Sequence, residues 1–300
     1  MPKKESKDVF SAEFIQKLEK LKYIFRKQFL SGTVGERAMR QKGGRIEFAG
    51  HRDYSHGDET RYVDWNVYGR LEKLFVKEFA REESIPVYIL VDISKSMGVG
   101  GADSSGSKVD YARQMAVALG YIGLISGQPV QFTAFADDRF IRSDVFVSAK
   151  KLMEMIEFFR QVKVAGQTDL YNTFSSFDKS TPRKGFLIVL SDLFDGQGKD
   201  SRKILGQLSN RGFAISVMHI SGEDTFNDGL CRFNDTETGE HKVIWVDKDV
   251  SVRYQQALKE FSREWSEFCL KHDIKYFHLN SMITIEDVIL KMLRKGQLLR

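Results

Sequence analysis

The sequence is poor in cysteine and has no long apolar run. It holds two cysteines among 300 residues, Cys231 and Cys269, which stand far apart with no CxxC spacing. This argues against a disulfide framework and a thiolate zinc site, so we expect both to be small buried hydrophobes. Apolar runs such as residues 87–91 and 186–190 are short, whereas a membrane-spanning helix needs roughly 20 residues. We therefore expect no membrane span.

The N-terminal region also lacks the features of a secretory signal. Its basic start at Lys3, Lys4 and Lys7 leads into the charged stretch 13–27 without an apolar core or a small-residue cleavage site. We accordingly expect a cytoplasmic protein. The stretch 42–44 lacks the GxxxxGKS or GxxxxGKT frame of a phosphate-binding loop, which argues against an ATPase.

The net charge of +5 arises in the N-terminal part of the chain. Residues 1–50 hold 12 Lys and Arg against 6 Asp and Glu, and the remainder is balanced at 34 against 35. Such a basic arm can bind nucleic acid, which we keep as an alternative that a steep loss of binding with salt would reveal. Its apolar residues, however, recur every three or four positions, which favours an amphipathic helix packed on the rest of the protein. These positions are Phe10, Phe14, Leu18, Leu21, Phe25 and Phe29.

From about Val87 onward, short apolar runs alternate with helical stretches, which is typical of a mostly parallel sheet wrapped by helices. The predicted strands are residues 87–92, 130–135, 186–191, 214–220 and 275–279. The predicted helices are 108–126, 150–160, 199–209 and 251–271, with a last helix capped by Thr284 and Asp287. A turn at 137–139 predicts an antiparallel edge strand near 140–146, and 222–240 is predicted to be a loop.

This pattern predicts two parts. Residues 1–85 would form an N-terminal cap that holds the amphipathic helix and a charged segment. Residues 86–300 would form a doubly wound, Rossmann-like α/β domain with a mostly parallel sheet and one antiparallel edge strand.

Oxygen-bearing side chains follow the ends of the predicted strands. Asp92, Ser94 and Ser96 form a DxSxS pattern after the first strand, Thr168 lies within the sequence GQTD, and Asp192 follows Ser191. Carboxylates and hydroxyls are hard ligands that suit Mg²⁺, Ca²⁺ or Mn²⁺. Because loops at the carboxyl edge of a parallel sheet converge, these residues predict an octahedral metal site. A lone DxSxS pattern could instead cap the next helix.

The set Asp92, Ser94, Ser96, Thr168 and Asp192 resembles the metal-ion-dependent adhesion site of von Willebrand factor A (vWA) domains. The resemblance implies that the two serines and the threonine contact the metal, and that the aspartates act mostly through water. It also implies an open position that accepts an acidic side chain of a partner protein. We expect Mg²⁺ as the cofactor, with Mn²⁺ and Ca²⁺ as alternatives.

A second resemblance concerns the segment before the predicted domain. Residues 50–65, GHRDYSHGDETRYVDW, followed by VKEF at 76–79, are similar to the signature of the bacterial domain of unknown function 58 family. Members of that family are typically encoded beside MoxR-type AAA+ ATPases. The resemblance therefore implies a protein-interaction adaptor or scaffold that works with such an ATPase in protein remodelling or complex assembly.

An enzyme is the alternative function. Haloacid-dehalogenase-type phosphohydrolases also place an Asp after their first strand, but they need DxD, whose second carboxylate serves as acid and base. That position is Ser94 here, a hydroxyl that does not ionise near neutral pH.

A dinucleotide site is disfavoured too, because residues 98–103 do not complete GxGxxG. We therefore predict that the protein is not an enzyme.

The N-terminal charged segment also invites a catalytic interpretation, but mixed charges among aromatic residues more often form structural ion pairs, which we favour. The residues concerned are Asp53, Asp58, Asp64, Arg45, Arg52, Arg61 and Arg70. The six histidines show no metal-ligand spacing, and His219 stands inside an apolar strand, so we expect packing or surface roles for them.

Overall fold

The computed structural model describes residues 9–30, 46–81, 84–98, 107–137, 139–195, 198–222, 229–234 and 241–294. The chain divides into two compact units. The larger takes in Met1–Arg26 and Ile85–Arg300, and the smaller is Lys27–Ser84. The sequence-based division into residues 1–85 and 86–300 stays a prediction.

The predicted amphipathic helix is present as α1 (Ala12–Leu30). Its apolar stripe is buried from Phe10 to Leu21, and the side chains of Phe25 and Phe29 lie outside the described residues. Lys17 on α1 pairs with Glu286 at 3.3 Å, and the Gln114 side-chain amide donates to the Val9 carbonyl. The first half of the helix is therefore packed within the larger unit.

The smaller unit is built on an antiparallel pair, β1 (Ile46–Asp53) and β2 (Phe75–Arg81), in which His51 lies opposite Lys77. A 3₁₀ turn at Thr60–Tyr62 and a short helix, α2 (Trp65–Leu71), lie between the two strands in sequence.

The larger unit is built on a six-stranded sheet. In chain order its strands are β3 (Val87–Asp92), β4 (Val130–Ala136), β5 (Arg139–Arg142), β6 (Phe186–Ser191), β7 (Ala214–Ser221) and, near the end of the chain, β10 (Lys275–Asn280). The spatial order is β10-β7-β6-β3-β4-β5, and every neighbouring pair is parallel except β4 with β5. The predicted α/β class and the antiparallel edge strand are thus confirmed.

The described residues after β3 include these α-helices: α3 (Lys108–Ile125), α4 (Leu152–Gln161), α5 (Leu170–Ser180), α6 (Gly198–Asn210), α7 (Lys248–Lys271) and α8 (Ile285–Arg294). Buried side chains of α5, α6 and α7 pack with Leu90, Leu187 and Val217 in one core cluster. Helix α3 is apolar on nearly every side and is buried along most of its length. Gly120 on α3 permits close packing, since a Cβ there would lie 2.6 Å from Phe132 Cζ on β4. None of the helices in the described parts of the chain is long and apolar enough to cross a bilayer.

The prediction of a loop at 222–240 was wrong for part of that stretch. Strand β8 (Gly229–Asn234) pairs antiparallel with β9 (His241–Val246). Strand β8 was not predicted, because the residues around it are rich in Asp and Asn. Residues 223–228 and 235–240 lie outside the described residues. The edge strand predicted near residues 140–146 was too long. Regular pairing with β4 covers only β5 (Arg139–Arg142), and an isolated bridge then joins Phe146 to Val130.

The helix predictions differ from the structure mainly in α5 and α7. Helix α5 was not predicted, since its sequence LYNTFSSFDKS is short and largely polar. Helix α7 begins three residues before the predicted start, where Asp247 caps it by accepting from the Val250 amide at 2.8 Å. The predicted cap of α8 is confirmed, because the Asp287 amide donates to Thr284 Oγ1 at 3.3 Å.

Candidate metal centre

The turn after β3 is held by Asp92 itself. The Asp92 Oδ1 atom accepts from the Ser94 amide at 2.9 Å, a short side-chain-to-backbone turn that Asp favours. The turn places the hydroxyls of Ser94 and Ser96 3.0 Å apart. The DxSxS spacing therefore yields adjacent oxygens at the carboxyl end of a central strand.

The loop that carries Thr168 is fixed to its neighbours on two sides. The Lys95 amide donates to the Gly166 carbonyl at 3.0 Å. On the other side, the Gln167 amide donates to Asp137 Oδ1 at 2.6 Å, and the Asp137 amide donates back to the Gln167 carbonyl at 2.8 Å. Gly166 has a φ of +79°, and a Cβ there would lie 2.1 Å from the Asp137 carboxylate. Glycine is therefore required at this position.

Thr168 joins the two loops directly. Its Oγ1 lies 3.1 Å from Asp92 Oδ2 and 3.0 Å from Ser94 Oγ. Residues 76 positions apart in the sequence thus meet through their side-chain oxygens at the carboxyl edge of the sheet.

The segment after β6 contributes Ser191 and Asp192. Ser191 Oγ donates to Asp92 Oδ2 at 2.6 Å and accepts from the Leu193 amide at 2.9 Å. Both oxygens of Asp192 are engaged: Oδ2 accepts from Lys108 Nζ at 2.6 Å, and Oδ1 accepts from the Phe194 amide at 3.3 Å. Lys108 is the first residue of α3.

These polar groups are almost completely shielded from water. Asp92, Ser94, Ser191 and Asp192 have no exposed surface, and Thr168 is buried as well. Burial, together with the nearby Asp192 carboxylate, raises the pKa of Asp92 to about 7. The donors to Asp92 are two hydroxyls and a backbone amide, which do not neutralise a charge. The site therefore favours a cation beside this carboxylate.

The five predicted residues behave as two groups. Asp92, Ser94, Ser96 and Thr168 are linked by direct hydrogen bonds. Asp192 lies close enough to Asp92 to raise its pKa, but its direct contact is with Lys108. Hydroxyl and carboxylate oxygens together suit a hard divalent cation. Within the described residues no three His, Cys, Asp or Glu side chains form a metal cluster. The candidate site differs from such clusters because most of its oxygens belong to Ser and Thr hydroxyls.

Sequence reasoning missed Lys108, Ser191 and Asp137. Ser191 could have been noticed as a second hydroxyl beside Asp192 at the end of an apolar strand. No local signal marks Lys108, which is 84 residues from its partner. Asp137 was predicted only as part of a turn, and its role in holding the Thr168 loop depends on a contact across 30 residues.

The charged segment of the smaller unit forms ion pairs, as predicted for two of its aspartates. Arg52 donates to both oxygens of Asp58 at 2.7 and 2.5 Å. Asp64 accepts from His51 Nε2 at 2.9 Å and lies 3.5 Å from Lys77 Nζ. The hydrogen bond from Arg52 lowers the pKa of Asp58 to about 2, and the bond from His51 lowers the pKa of Asp64 to about 2. Arg45 lies outside the described residues.

His219 and Cys269 are buried, as expected from their apolar surroundings. Burial lowers the pKa of His219 to about 3, so the ring is neutral at physiological pH. Burial raises the pKa of the Cys269 thiol to about 12, which leaves it unreactive. The side chain of Cys231 lies outside the described residues.

Comparison with known proteins identifies the family. Residues 50–264 match the family described as "Protein of unknown function DUF58", and the chain belongs to this family. No curated protein matches the sequence.

Solved structures that are similar to parts of the chain include the following three. The conserved hypothetical protein BatB from Bacteroides thetaiotaomicron has 15% identity and a TM-score of 0.44, over 71% of this chain and 98% of that chain. The SpRpn10 VWA domain has 10% identity and a TM-score of 0.42, over 72% and 98%. The manganese-loaded TRAP protein of Plasmodium vivax has 13% identity and a TM-score of 0.33, over 45% and 57%.

Proposed function

We propose that this member of the DUF58 family is a divalent-metal-dependent protein-interaction module. The observation that carries the proposal is the chain of hydrogen-bonded oxygens formed by the buried Asp92, Ser94 and Thr168 and the half-buried Ser96. Two separate loops supply these oxygens, and Asp192 lies beside them. A cluster of neutral hydroxyls around an uncompensated carboxylate is suited to a cation, and its position at the carboxyl edge of the sheet is suited to a ligand.

In this proposal each residue has a defined role. Ser94, Ser96 and Thr168 would hold the ion through their hydroxyls, and Asp92 and Asp192 would balance its charge. Mg²⁺ is the proposed ion, with Mn²⁺ and Ca²⁺ as alternatives. When bound, the ion supplies a concentrated positive charge and an open coordination position for a carboxylate. Binding by the isolated protein should be weak, because hydroxyls are neutral and Mg²⁺ gives up water reluctantly.

The proposed partner is a protein that presents an acidic residue to this site. Members of the family are typically encoded beside MoxR-type AAA+ ATPases, which supports such an ATPase, or its client, as the partner. The chain would then act as an adaptor or scaffold in protein remodelling or complex assembly, in the cytoplasm where ATP is available.

The surroundings of Ser94 support a binding role over phosphohydrolysis. A haloacid-dehalogenase mechanism requires a second carboxylate at this position to move a proton. Ser94 is instead fully buried, and its hydroxyl contacts the hydroxyls of Ser96 and Thr168. We therefore propose that the protein is not an enzyme.

Calorimetric titration with Mg²⁺ and Mn²⁺ tests the metal site. Thr168→Ala removes one neutral ligand without changing charge, and we expect it to weaken binding at least about tenfold. Thr173→Ala is the matched control, because Thr173 is also buried but its Oγ1 bonds the Asp169 carbonyl at 2.6 Å. It should bind like the wild type. Equal affinity in wild type and Thr168→Ala would contradict the proposed site.

Partner binding is tested with the full chain as bait, in Mg²⁺ and in EDTA. We expect an AAA+ ATPase to be retained by the wild type in Mg²⁺, lost in EDTA, and poorly retained by Thr168→Ala in either buffer. Retention that is independent of metal would refute the mechanism. In that case the charged segment 50–65 would be the expected binding surface for the partner.

A further inference from the structure

We infer that Lys108 is a built-in cation that regulates the metal centre, weakening its affinity for a divalent ion while making the loaded site require an anionic ligand. The inference rests on the proposed function and concerns a residue outside the five proposed ligands. It follows from the contact, position and surroundings of Lys108.

The contact is short and shielded. Lys108 Nζ lies 2.6 Å from Asp192 Oδ2, and the side chains are 15% and 1% exposed. The attraction between the two charges is stronger in a buried pair than at the surface, because little water screens it. The Phe194 amide donates to the other oxygen of Asp192 at 3.3 Å, so Lys108 and a metal ion would compete for the negative charge of the same carboxylate.

The position of Lys108 is unfavourable for a helix. It is the first residue of α3, directly after the capping residue Ser107. The amino end of a helix carries partial positive charge and favours anions, so a lysine there does not stabilise the helix. A cation at this place is better explained by its contact with Asp192.

Among the described residues, the other contacts of Lys108 are with an aromatic ring and with uncharged groups. Its ammonium lies 5.9 Å from the centre of the Phe194 ring, which stacks on Phe261 at 5.1 Å. His219 is close enough for Lys108 to lower its pKa, and that ring is neutral. A Cβ at Gly222 would lie 3.8 Å from the lysine stem, in ordinary contact. The ring of Phe194, stacked on Phe261, therefore lies near the ammonium of Lys108.

The charge of Lys108 should affect the divalent ion and the carboxylate ligand in opposite directions. When both carboxylates are ionised, as a bound cation requires, Asp92 and Asp192 carry two negative charges, and Lys108 reduces the net charge of the site to about minus one. A divalent ion would neutralise the two carboxylates alone, but in the presence of Lys108 it leaves the site positive. Lys108 therefore opposes the metal and favours a carboxylate ligand. Metal and carboxylate should consequently bind cooperatively in the wild type.

The test measures Mn²⁺ affinity by calorimetry at fixed pH and ionic strength, with and without acetate as the carboxylate probe. We expect Lys108→Met to bind Mn²⁺ about tenfold more tightly than the wild type. In this variant acetate should strengthen Mn²⁺ binding less than it does in the wild type, because the loaded site carries one positive charge fewer. Lys108→Arg keeps the charge and should retain the acetate effect.

Lys203→Met is the control for loss of a lysine charge. It removes the same charge from an exposed lysine on α6, outside the site, and should change Mn²⁺ affinity little. A Lys108→Met variant that binds Mn²⁺ no more tightly, or a Lys203→Met variant with the same gain, would overturn the inference. If Lys108→Met does not fold by circular dichroism, Lys108→Gln is measured against the same outcomes.

Failure of the proposed function has a different signature. If neither the wild type nor the folded Lys108 variants bind Mn²⁺, the metal centre itself is wrong, and the inference fails with it. If the wild type binds Mn²⁺ and Lys108→Met binds equally, the metal centre stands and only the role of Lys108 is refuted.

Discussion

Asp92 in the larger unit differs from Asp58 and Asp64 in the smaller unit in the groups that contact its carboxylate. In the smaller unit, Asp58 is bonded by Arg52 and Asp64 by His51, and these contacts lower both pKa values to about 2. In the larger unit, the described hydrogen bonds to Asp92 come from hydroxyls and an amide, and burial beside Asp192 raises its pKa to about 7. Asp192 itself is paired with Lys108. Asp58 and Asp64 thus contact basic side chains directly, whereas Asp92 is the carboxylate beside which we propose that a divalent cation binds.

The largest effect should come from Asp92→Ala. We expect this variant to lose Mg²⁺ and Mn²⁺ binding altogether, since it removes the carboxylate on which Ser94, Thr168 and Ser191 converge. Asp58→Ala is the counterpart in the smaller unit and should leave metal binding unchanged. Thermal-shift titration of both variants measures the difference. A metal response that survives in Asp92→Ala, or disappears in Asp58→Ala, would reverse the assignment.

Gly166→Ala should have an intermediate effect. The substitution places a side chain at a φ of +79° and drives a Cβ into the Asp137 carboxylate, so the Thr168 loop must shift. The backbone conformation alone costs roughly 1 to 2 kcal/mol, and metal affinity should fall as well.

Gly57→Ala separates these two contributions. Gly57 has a φ of +111° but nothing within 4 Å of a Cβ, so it should lower stability without changing metal affinity. Thermal denaturation and metal titration of both variants make the comparison. Unchanged metal affinity in Gly166→Ala would show that the loop does not position Thr168.

The smallest effect concerns the ionisation of Asp64. His51→Asn should let the pKa of Asp64 rise from about 2 toward its usual 3.8, because the His51 bond is the main cause of the lowered value. A lowered carboxylate pKa stabilises the folded state above the usual pKa, and this contribution is lost as the pH falls from about 4 toward 2. The variant should lose less stability than the wild type in that window. NMR titration of the carboxyl carbon measures the pKa, and an unchanged value would disprove the role of His51.

The sequence predicted the parts of the fold that depend on local pattern. Residues 87–92 and 186–191 were predicted to the residue, because each is an uninterrupted apolar run that ends in polar residues. The strands β8 and β9 and helix α5 were missed, since these short segments have mixed polarity and lack a clear apolar pattern. The hairpin strands are defined by pairing with each other, and α5 is defined by packing in the core.

The candidate site was predictable to the extent that it is local. The DxSxS pattern and the positions of Thr168 and Asp192 at loop ends can be seen in the sequence. The contacts of Lys108 with Asp192 and of Asp137 with Gln167 join separate loops, and only the folded chain brings them together. The sequence therefore could not predict that Lys108 pairs with Asp192 and reduces the net negative charge of the site.

The central claim is that the divalent ion binds beside Asp92 and avoids the paired aspartates of the smaller unit. Titrating the isotope-labelled full chain with Mn²⁺ while recording amide NMR spectra tests it most directly, because the paramagnetic ion broadens signals near its binding site. We predict early and selective broadening at Ser94, Ser96 and Thr168, with sharp signals at Asp58 and Asp64. Broadening that begins at Asp58 and Asp64, or that spreads evenly over acidic residues, would contradict the account.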